Sequence, residues 1–386
     1  MNYLIIPQSA YDYINTLRTK YPSLKDIIDK IDIELNQRLW YQLSIDLLEL
    51  CLKEELKNNE ELIALYNQII IYVESSFNPM QLLTIVKQII SNYQGRYNEA
   101  LQFIENLNKK MKFSGEEELF IILLKGYCYL ELGKIYDLED CLKKVKIEFE
   151  KRSEIDPIIY LNYYKLSTYF YNKKGDYDSF YFAALQYLGY EKNISEKEKK
   201  ELCFNMCVAT LIGEKMFNFA ELIEKDFFML MKDSEYEWIY NLIFSFNSAK
   251  VDQFEEMLKN YKQQIEAVAI LKNNEVFLHT KIRIAALLEL IFQKNKSERI
   301  ISFAEIKEKC LVDSLQTEYI IMKALSFGLI KGFIDQVQEC LHVTWVVPKY
   351  LDKDKIAIIM QRFDSWISKS KDILGKFQDI SAPLLV

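Results

Sequence analysis

The chain has 386 residues, of which half are apolar, and a net charge of −7. A chain of this length and apolar content can bury substantial hydrophobic cores, and we expect a folded protein with two or more domains. The acidic balance argues against a protein whose main task is to neutralise nucleic-acid phosphates or anionic lipid.

The cysteines, the first residues and the length of the apolar runs indicate in which cellular compartment the protein is expected. The seven cysteines are odd in number and widely spread, which is typical of a reducing environment. The first eight residues lack a basic stretch followed by an apolar core, and no apolar run approaches the ~18 residues that span a bilayer. We therefore expect a protein that is neither secreted nor membrane-spanning. Six prolines and ten glycines are few for this length and favour long helices.

The first two thirds of the chain contain a repeated pattern, in which a small or basic residue precedes an aromatic or branched residue and an amphipathic stretch. Its copies are Arg38 to Leu43, Gly95 to Leu101, Gly133 to Leu138, Gly175 to Phe180, Lys215 to Ala220 and Ala249 to Phe254. The last five copies start 38, 42, 40 and 34 residues apart, the length of one helix-turn-helix unit. Apolar residues such as Leu119, Leu123 and Leu130 line one face of the helix predicted before Gly133. The pattern predicts a solenoid similar to tetratricopeptide repeats.

The pattern changes after Arg299, where the sequence predicts a winged helix. Ser302 and Glu305 have the spacing of a capping box and open a short helix that ends at Cys310. Asp313 opens a longer helix that ends before Gly328. Its expected buried side contains Leu315, Tyr319, Met322 and Leu325. Two β-favouring runs follow, Leu329 to Ile334 and Leu341 to Val347, and in the second run Leu341, Val343 and Trp345 alternate with polar or smaller residues.

A winged helix often binds DNA, and its charge tests that alternative. A DNA reader needs Lys or Arg on its second helix and wing. From Arg299 to Lys349 there are six basic and six acidic residues, and Ser314 to Phe327 holds one of each. This neutrality argues against nucleic-acid binding. A free sheet edge can instead pair with a strand of another protein.

The sequence after Pro348 predicts a final helix that begins near Asp352. Alternating spacings of three and four connect Ile356, Ile359, Phe363, Trp366, Ser370, Ile373 and Phe377, among which Ser370 is the only polar residue. Met360, Ile367 and Leu374 widen this apolar stripe to a width that suits a helix bundle. Two alternatives remain open at this point: the helix folds back on its own winged helix, or it joins a bundle with other subunits.

No pattern in the sequence indicates catalysis, a cofactor or a metal site. The two histidines, His279 and His342, are 63 residues apart and cannot build a zinc site of closely spaced ligands. Cys203 and Cys207 lie four residues apart on a predicted helix and are expected to be buried structural thiols. The sequence contains no glycine-rich phosphate loop. We expect a protein that is not an enzyme.

The order of a helical-repeat arm, a neutral winged helix and a lone apolar helix resembles the PCI family of scaffold subunits. The segments Met322 to Val337 and His342 to Asp352 carry the resemblance, together with Arg38 to Leu43, Phe217 to Leu222 and Tyr181 to Gly189. Within the family these segments look like those of a non-ATPase lid subunit of the proteasome regulatory particle. The alternative is a subunit of a COP9 signalosome-like or translation-initiation complex.

The resemblance implies a mainly α protein with three parts: an arm (1–172), a PCI domain (173–349, helical to 298 and then the winged helix) and a C-terminal helix (350–386). It implies a scaffold for ubiquitin-dependent degradation in the cytoplasm and nucleus, without cofactor, nucleic acid or membrane. Partners would be other PCI subunits, the lid deubiquitinase pair in a helical bundle and, as a further candidate, the ubiquitin-receptor subunit. The predicted contact residues are the nine apolar residues of the last helix and, on the wing, Leu329, Ile330, Phe333, Leu341, Val343 and Trp345.

Overall fold

The computed structural model groups the chain into two units, which are described separately. The first comprises residues 1–175 and 182–192, and the second comprises residues 176–181 and 193–386. The structure describes residues 7–57, 61–93, 95–152, 154–191, 194–232, 234–294, 299–348 and 353–381. Within these ranges, none of the helices combines the length and the apolar character needed to cross a bilayer. The predicted division of the chain at residues 172, 298 and 349 stays a prediction.

The first unit is built from helices. They are α1 Gln8–Lys20, α2 Lys25–Gln37, α3 Trp40–Leu52, α4 Glu54–Lys57, α5 Glu61–Leu65, α6 Ile71–Val73, α7 Pro79–Ser91, α8 Tyr97–Met111, α9 Glu116–Glu131, α10 Ile135–Lys151 and α11 Pro157–Lys174. A π-helical turn, Tyr66–Ile70, and two 3₁₀ turns, Pro22–Leu24 and Glu74–Ser76, connect some of them. Helix α12, Tyr177–Tyr190, begins among the residues of the second unit and ends among those of the first.

The turns of the repeat have the geometry that the sequence predicts. Gly95, Gly133 and Gly175 have φ values of +77°, +72° and +77°, and α8, α10 and α12 begin two residues after them. Arg38 and Ala249 adopt the same left-handed conformation before α3 and α17 (Val251–Asn260). Glycine takes this conformation without the steric cost that a Cβ atom brings. The predicted repeat of helices is therefore confirmed, with five of its six predicted turns in this geometry. The copy at Lys215 lacks the left-handed residue, and the helix after it begins only at Phe219.

The core of the first unit lies between the apolar faces of these helices. Leu119, Leu123 and Leu130 are buried on α9, as the spacing predicts. Asn78 and Asp156 stand before the prolines that open α7 and α11, and each side chain accepts a hydrogen bond from a backbone N–H two residues later. These caps fix where both helices begin.

The second unit is helical up to a small sheet. After α12 its elements are α13 Glu196–Ile212, α14 Phe219–Ile223, α15 Asp226–Met229, α16 Glu237–Ser248, α17, α18 Lys262–Ala267, α19 Ala269–Asn273, α20 Glu275–Gln293, β1 Ile300–Ser302, α21 Phe303–Cys310, α22 Ser314–Ser326, β2 Ile330–Asp335, β3 Cys340–Val346 and α23 Lys353–Ser381. Cys203 and Cys207 are buried on α13, and both Sγ atoms contact the sulfur of Met231. The prediction of buried thiols is confirmed.

Lys281 is fully buried on α20. Its Nζ atom donates hydrogen bonds to the carbonyl oxygens of Thr210, at 2.7 Å, and Gly213, at the end of α13. The same atom lies 5.1 and 5.7 Å from the ring centroids of Phe217 and Phe219. This side chain satisfies carbonyl groups that a helix leaves free at its C-terminus.

The predicted winged helix is present, from β1 to β3, with α21 and α22 between β1 and β2. The two predicted strands lie within one residue of their expected bounds. The short strand β1 was not predicted, and it pairs with β3, so that the antiparallel sheet has the order β1-β3-β2. Local sequence does not reveal β1, because three residues are too few to show a period of two.

The caps of the two winged-helix helices differ from the prediction in detail. The Ser302 hydroxyl accepts from the N–H of Glu305 at 3.3 Å, as a capping box requires. The Glu305 carboxylate, however, pairs with Lys294 at 2.9 Å and supplies no reciprocal cap. Helix α22 begins where Asp313 predicts, but the Asp313 side chain makes no capping hydrogen bond.

The buried side of α22 was predicted wrongly. Thr317, Ile320, Ile321 and Ala324 face the core, whereas Leu315, Tyr319 and Met322 are exposed and Leu325 is half-buried. Both sets recur at helical spacing, so periodicity alone cannot choose between them. Packing against α20 and α21 selects the side that carries the small Thr317 and Ala324, because short side chains let helices approach closely.

Candidate assembly surfaces

The last helix, α23, presents its apolar stripe to solvent. Eight of the nine predicted residues are between 45% and 72% exposed, and Ile359 is half-buried. The eight are Ile356, Met360, Phe363, Trp366, Ile367, Ile373, Leu374 and Phe377. These exposures argue against the alternative in which the stripe folds back on its own winged helix. An apolar stripe of this size on a soluble helix typically marks an interaction surface. Residues 349–352, which include the predicted helix start at Asp352, lie outside the described residues.

The structure divides the six predicted wing residues into two groups. Leu329, Ile330, Leu341 and Val343 are buried inside the module, and their side chains form part of its own core. Phe333 and Trp345 are 58% and 40% exposed. Only Phe333 and Trp345 of these six can therefore touch a partner with their side chains in this conformation. The role of all six in an interface stays a prediction.

A β-bulge explains why Trp345 departs from the expected alternation. Lys331 pairs with Trp345 and Gly332 with Val343, so Thr344 is an extra residue on β3. An extra residue reverses the facing of the side chains that follow it. Val346 is therefore buried in place of Trp345. The Lys331 ammonium lies 5.2 Å from the exposed Trp345 ring.

The outer strands and α22 show what the module offers to a partner. Among the described residues, no further strand pairs with the outer edge of β1 or of β2. On α22, Leu315, Tyr319 and Met322 occupy outward positions where a DNA reader would place Lys or Arg. This exposed surface was not predicted from the sequence, because the same three residues were predicted to lie on the buried side of the helix. The surface chemistry agrees with the charge argument against nucleic-acid binding.

One set of potential metal ligands comes together within the described part of the chain. A ligand atom from each of Asp335, Cys340 and His342 lies within 4.8 Å of the others at the β2–β3 hairpin. Contacts within the hairpin account for all three, and the Cys340 Sγ atom lies 3.4 Å from the His342 Nε2 atom. An Asp335 carboxylate oxygen accepts from two turn N–H groups at 3.0 Å, and the His342 ring stacks on Phe333 with centroids 4.4 Å apart. We assign them to hairpin structure. His279, on α20, packs edge-on against Phe254.

Comparison with known proteins places the chain in a family. A family model described as PSD13 N-terminal repeats matches residues 28–243, and the PCI domain model matches residues 258–345. The 26S proteasome non-ATPase regulatory subunit 13 of Dictyostelium discoideum is 30% identical over 381 residues, covering 97% of this chain and 98% of that protein. The chain belongs to the proteasome non-ATPase regulatory subunit 13 family.

Two further relatives are similar to this chain in sequence along nearly its whole length. Homolog A of the same subunit in Arabidopsis thaliana is 27% identical and covers 94% of this chain and 95% of its own length. The 26S proteasome regulatory subunit RPN9 of Saccharomyces cerevisiae has the same identity and coverage. These names favour the main interpretation over a COP9-like or initiation-factor subunit. The resemblance and the fold class predicted from the sequence are confirmed.

Proposed function

We propose that this chain is a non-catalytic scaffold subunit of the lid of the 26S proteasome regulatory particle, in cytoplasm and nucleus. Its family membership supports the complex, since the relatives carry the names of regulatory, non-ATPase proteasome subunits. The exposed stripe of α23 supports the scaffold role and is the observation that carries the proposal. The chain would act through protein contacts, without cofactor, nucleic acid or membrane.

In this proposal α23 enters a helical bundle with the lid deubiquitinase pair. Burying large apolar side chains contributes about 1.5–3 kcal/mol each, so eight exposed ones can supply much of the free energy of assembly. The C-terminal helix, residues 350–386, then acts as a separate part beyond the arm (1–172) and the PCI domain (173–349).

The wing is the second proposed contact, with other PCI subunits and, as a further neighbour, the ubiquitin-receptor subunit. Phe333 and Trp345 would touch the neighbouring subunit, and the outer edge of β2 would accept its strand. The four buried wing residues would hold the strands that carry these contacts.

The experiment compares two triple variants of the tagged full-length chain in its own cells. Phe363→Ala, Trp366→Ala and Phe377→Ala together remove three large residues from the stripe. Gln361→Ala, Ser365→Ala and Asp372→Ala remove three exposed side chains from the opposite face as the matched control. Proteins that co-purify are quantified by mass spectrometry, beside a chain that ends at residue 351.

We expect the control to retain lid subunits at wild-type level. The stripe variant and the shortened chain should lose at least nine tenths of them. Equal retention by both triple variants would refute the role of α23. Recovery of ribosomal or nucleic-acid complexes in place of proteasome subunits would refute the proposed complex.

A further inference from the structure

A cavity of about 250 Å³ in the first unit lies between α7, α9 and α11. Phe120, Leu123 and Leu124 from α9 form an apolar part of its wall. Lys87 from α7 and Lys165 from α11 line the same cavity. Two lysine side chains therefore line one partly enclosed space that also has an apolar wall.

Neither lysine forms a direct ion pair with a described residue, and Glu191 is the acidic residue whose charge acts on Lys87. Among the described residues, no carboxylate oxygen lies within 4 Å of either ammonium group. Burial and the positive charge of Lys165 lower the pKa of Lys87 to about 8, against the weaker opposite effect of Glu191. Like charges in a desolvated site repel, and a bound anion would relieve that repulsion.

The size and lining of the cavity indicate what the anion belongs to. Pockets for small-molecule ligands usually measure about 300–1,000 Å³, so this cavity suits one or two side chains of a peptide. The two lysines favour binding of a carboxylate side chain. The wall of Phe120, Leu123 and Leu124 favours an apolar side chain next to that carboxylate in the peptide.

We propose that this cavity binds an acidic peptide segment of a partner protein, with a carboxylate side chain between Lys87 and Lys165. An apolar side chain next to it in the segment packs on Phe120, Leu123 and Leu124. The site lies on residues of the first unit, so it goes beyond the contacts proposed for α23 and the wing. Its test does not depend on proteasome assembly.

The test measures fluorescence anisotropy of labelled peptide amides with the full-length chain. The probes are Gly-Phe-Glu-Phe-Gly, the uncharged Gly-Phe-Gln-Phe-Gly and the apolar-deleted Gly-Ala-Glu-Ala-Gly. The variants are Lys87→Met, Lys165→Met and the charge-retaining Lys87→Arg. The control is Lys144→Met, which removes an exposed lysine from α10. Far-UV circular dichroism verifies that each variant is folded.

We expect the first probe to bind at least tenfold more tightly than the other two. Each lysine-to-methionine change in the cavity should weaken binding about tenfold, which corresponds to the loss of about 1.4 kcal/mol for one charge contact. Lys144→Met should bind like the wild type, and Lys87→Arg should bind within threefold of it. Equal binding of the glutamate and glutamine probes, or equal loss in Lys144→Met, would overturn the proposal.

A pH series gives an independent readout. Lys165, Glu191, Tyr127 and Tyr169 are the other titratable groups at or near the cavity. Because Lys87 holds its proton only below about pH 8, affinity for the glutamate probe should fall between pH 7 and 9. Affinity that stays constant over this range would exclude Lys87 as the carboxylate contact.

Discussion

Replacing Lys281 with methionine should make the stability of the protein less dependent on pH. The Lys281 side chain is fully buried, and burial lowers its pKa from 10.5 to about 7, against the opposing charges of Asp178 and Glu214. In the unfolded chain the same group has an ordinary pKa and holds its proton up to about pH 10.4. Between pH 7 and 10 the unfolded chain therefore binds a proton that the folded chain lacks.

This difference determines the sign of the effect. Where the unfolded state binds more protons, the free energy of unfolding rises with pH, by up to about 1.4 kcal/mol per unit for one group. For a folded pKa near 7, the wild type should gain about 2 kcal/mol between pH 7 and 9 relative to a chain without the lysine. Methionine has a similar length and no titratable proton.

The substitution also has a part that does not depend on pH. Neutral lysine still has two N–H donors, enough for the carbonyl groups of Thr210 and Gly213. Methionine leaves both acceptors unpaired, at a cost of about 1–3 kcal/mol each. At pH 9 the variant should thus be about 2–6 kcal/mol less stable than the wild type. At pH 7 the deficit should be about 2 kcal/mol smaller.

The assay is hydrogen exchange of peptides from α13 and α20 in both proteins at pH 7, 8 and 9, supported by urea unfolding followed by circular dichroism. Exchange rates are corrected for the intrinsic effect of pH. Lys272→Met, which removes an exposed lysine from α19, serves as the control and should follow the wild-type profile. Stability profiles of wild type and Lys281→Met that run parallel from pH 7 to 9 would refute the reasoning.

Three further predictions concern the winged helix and the thiols. Ser302→Ala should lower the free energy of unfolding by about 1 kcal/mol, whereas Asp313→Ala should cost less than about 0.5 kcal/mol because its side chain makes no cap; equal costs in urea unfolding would contradict the assignment. Gly332→Ala should lower the free energy of unfolding by more than about 2 kcal/mol, since the added methyl group would overlap the carbonyl oxygen of His342. Gly375→Ala is the control, and it should leave stability unchanged or raise it because Gly375 occupies an open helical position. Loss of hairpin protection in hydrogen exchange should accompany only the first of these glycine changes. Six of the seven cysteines are buried. Ellman's reagent at pH 8 should therefore label fewer than two thiols rapidly in the native chain and all seven in urea. Rapid labelling of two or more thiols in the native chain would show that the core opens.

Several features of the fold followed from local sequence signals alone. The glycines before α8, α10 and α12 predicted turns, because a left-handed backbone is a property of the residue itself. Ser302 predicted the start of α21, because a cap forms within four residues. The alternating spacing of three and four predicted the stripe of α23, and no other apolar face competes with it on that helix.

Other features depended on contacts between residues far apart in the sequence. Helix α22 has two apolar faces at the same spacing, and only packing against α20 and α21 decided which one is buried. The facing of Trp345 depended on a bulge opposite Gly332, which is a property of the strand pair.

The cavity of Lys87 and Lys165 likewise depends on contacts between residues far apart in the sequence. These lysines are 78 residues apart and belong to no motif, and the packing of three helices brings them to one cavity. Lys281 likewise meets Thr210 and Gly213 about 70 residues away. The sequence by itself determined helices, turns, the family and the apolar stripe, because these depend on residues near one another along the chain or on patterns that recur. Only the tertiary structure decided which faces are buried and which charges share a site, because distant residues meet only when the helices pack.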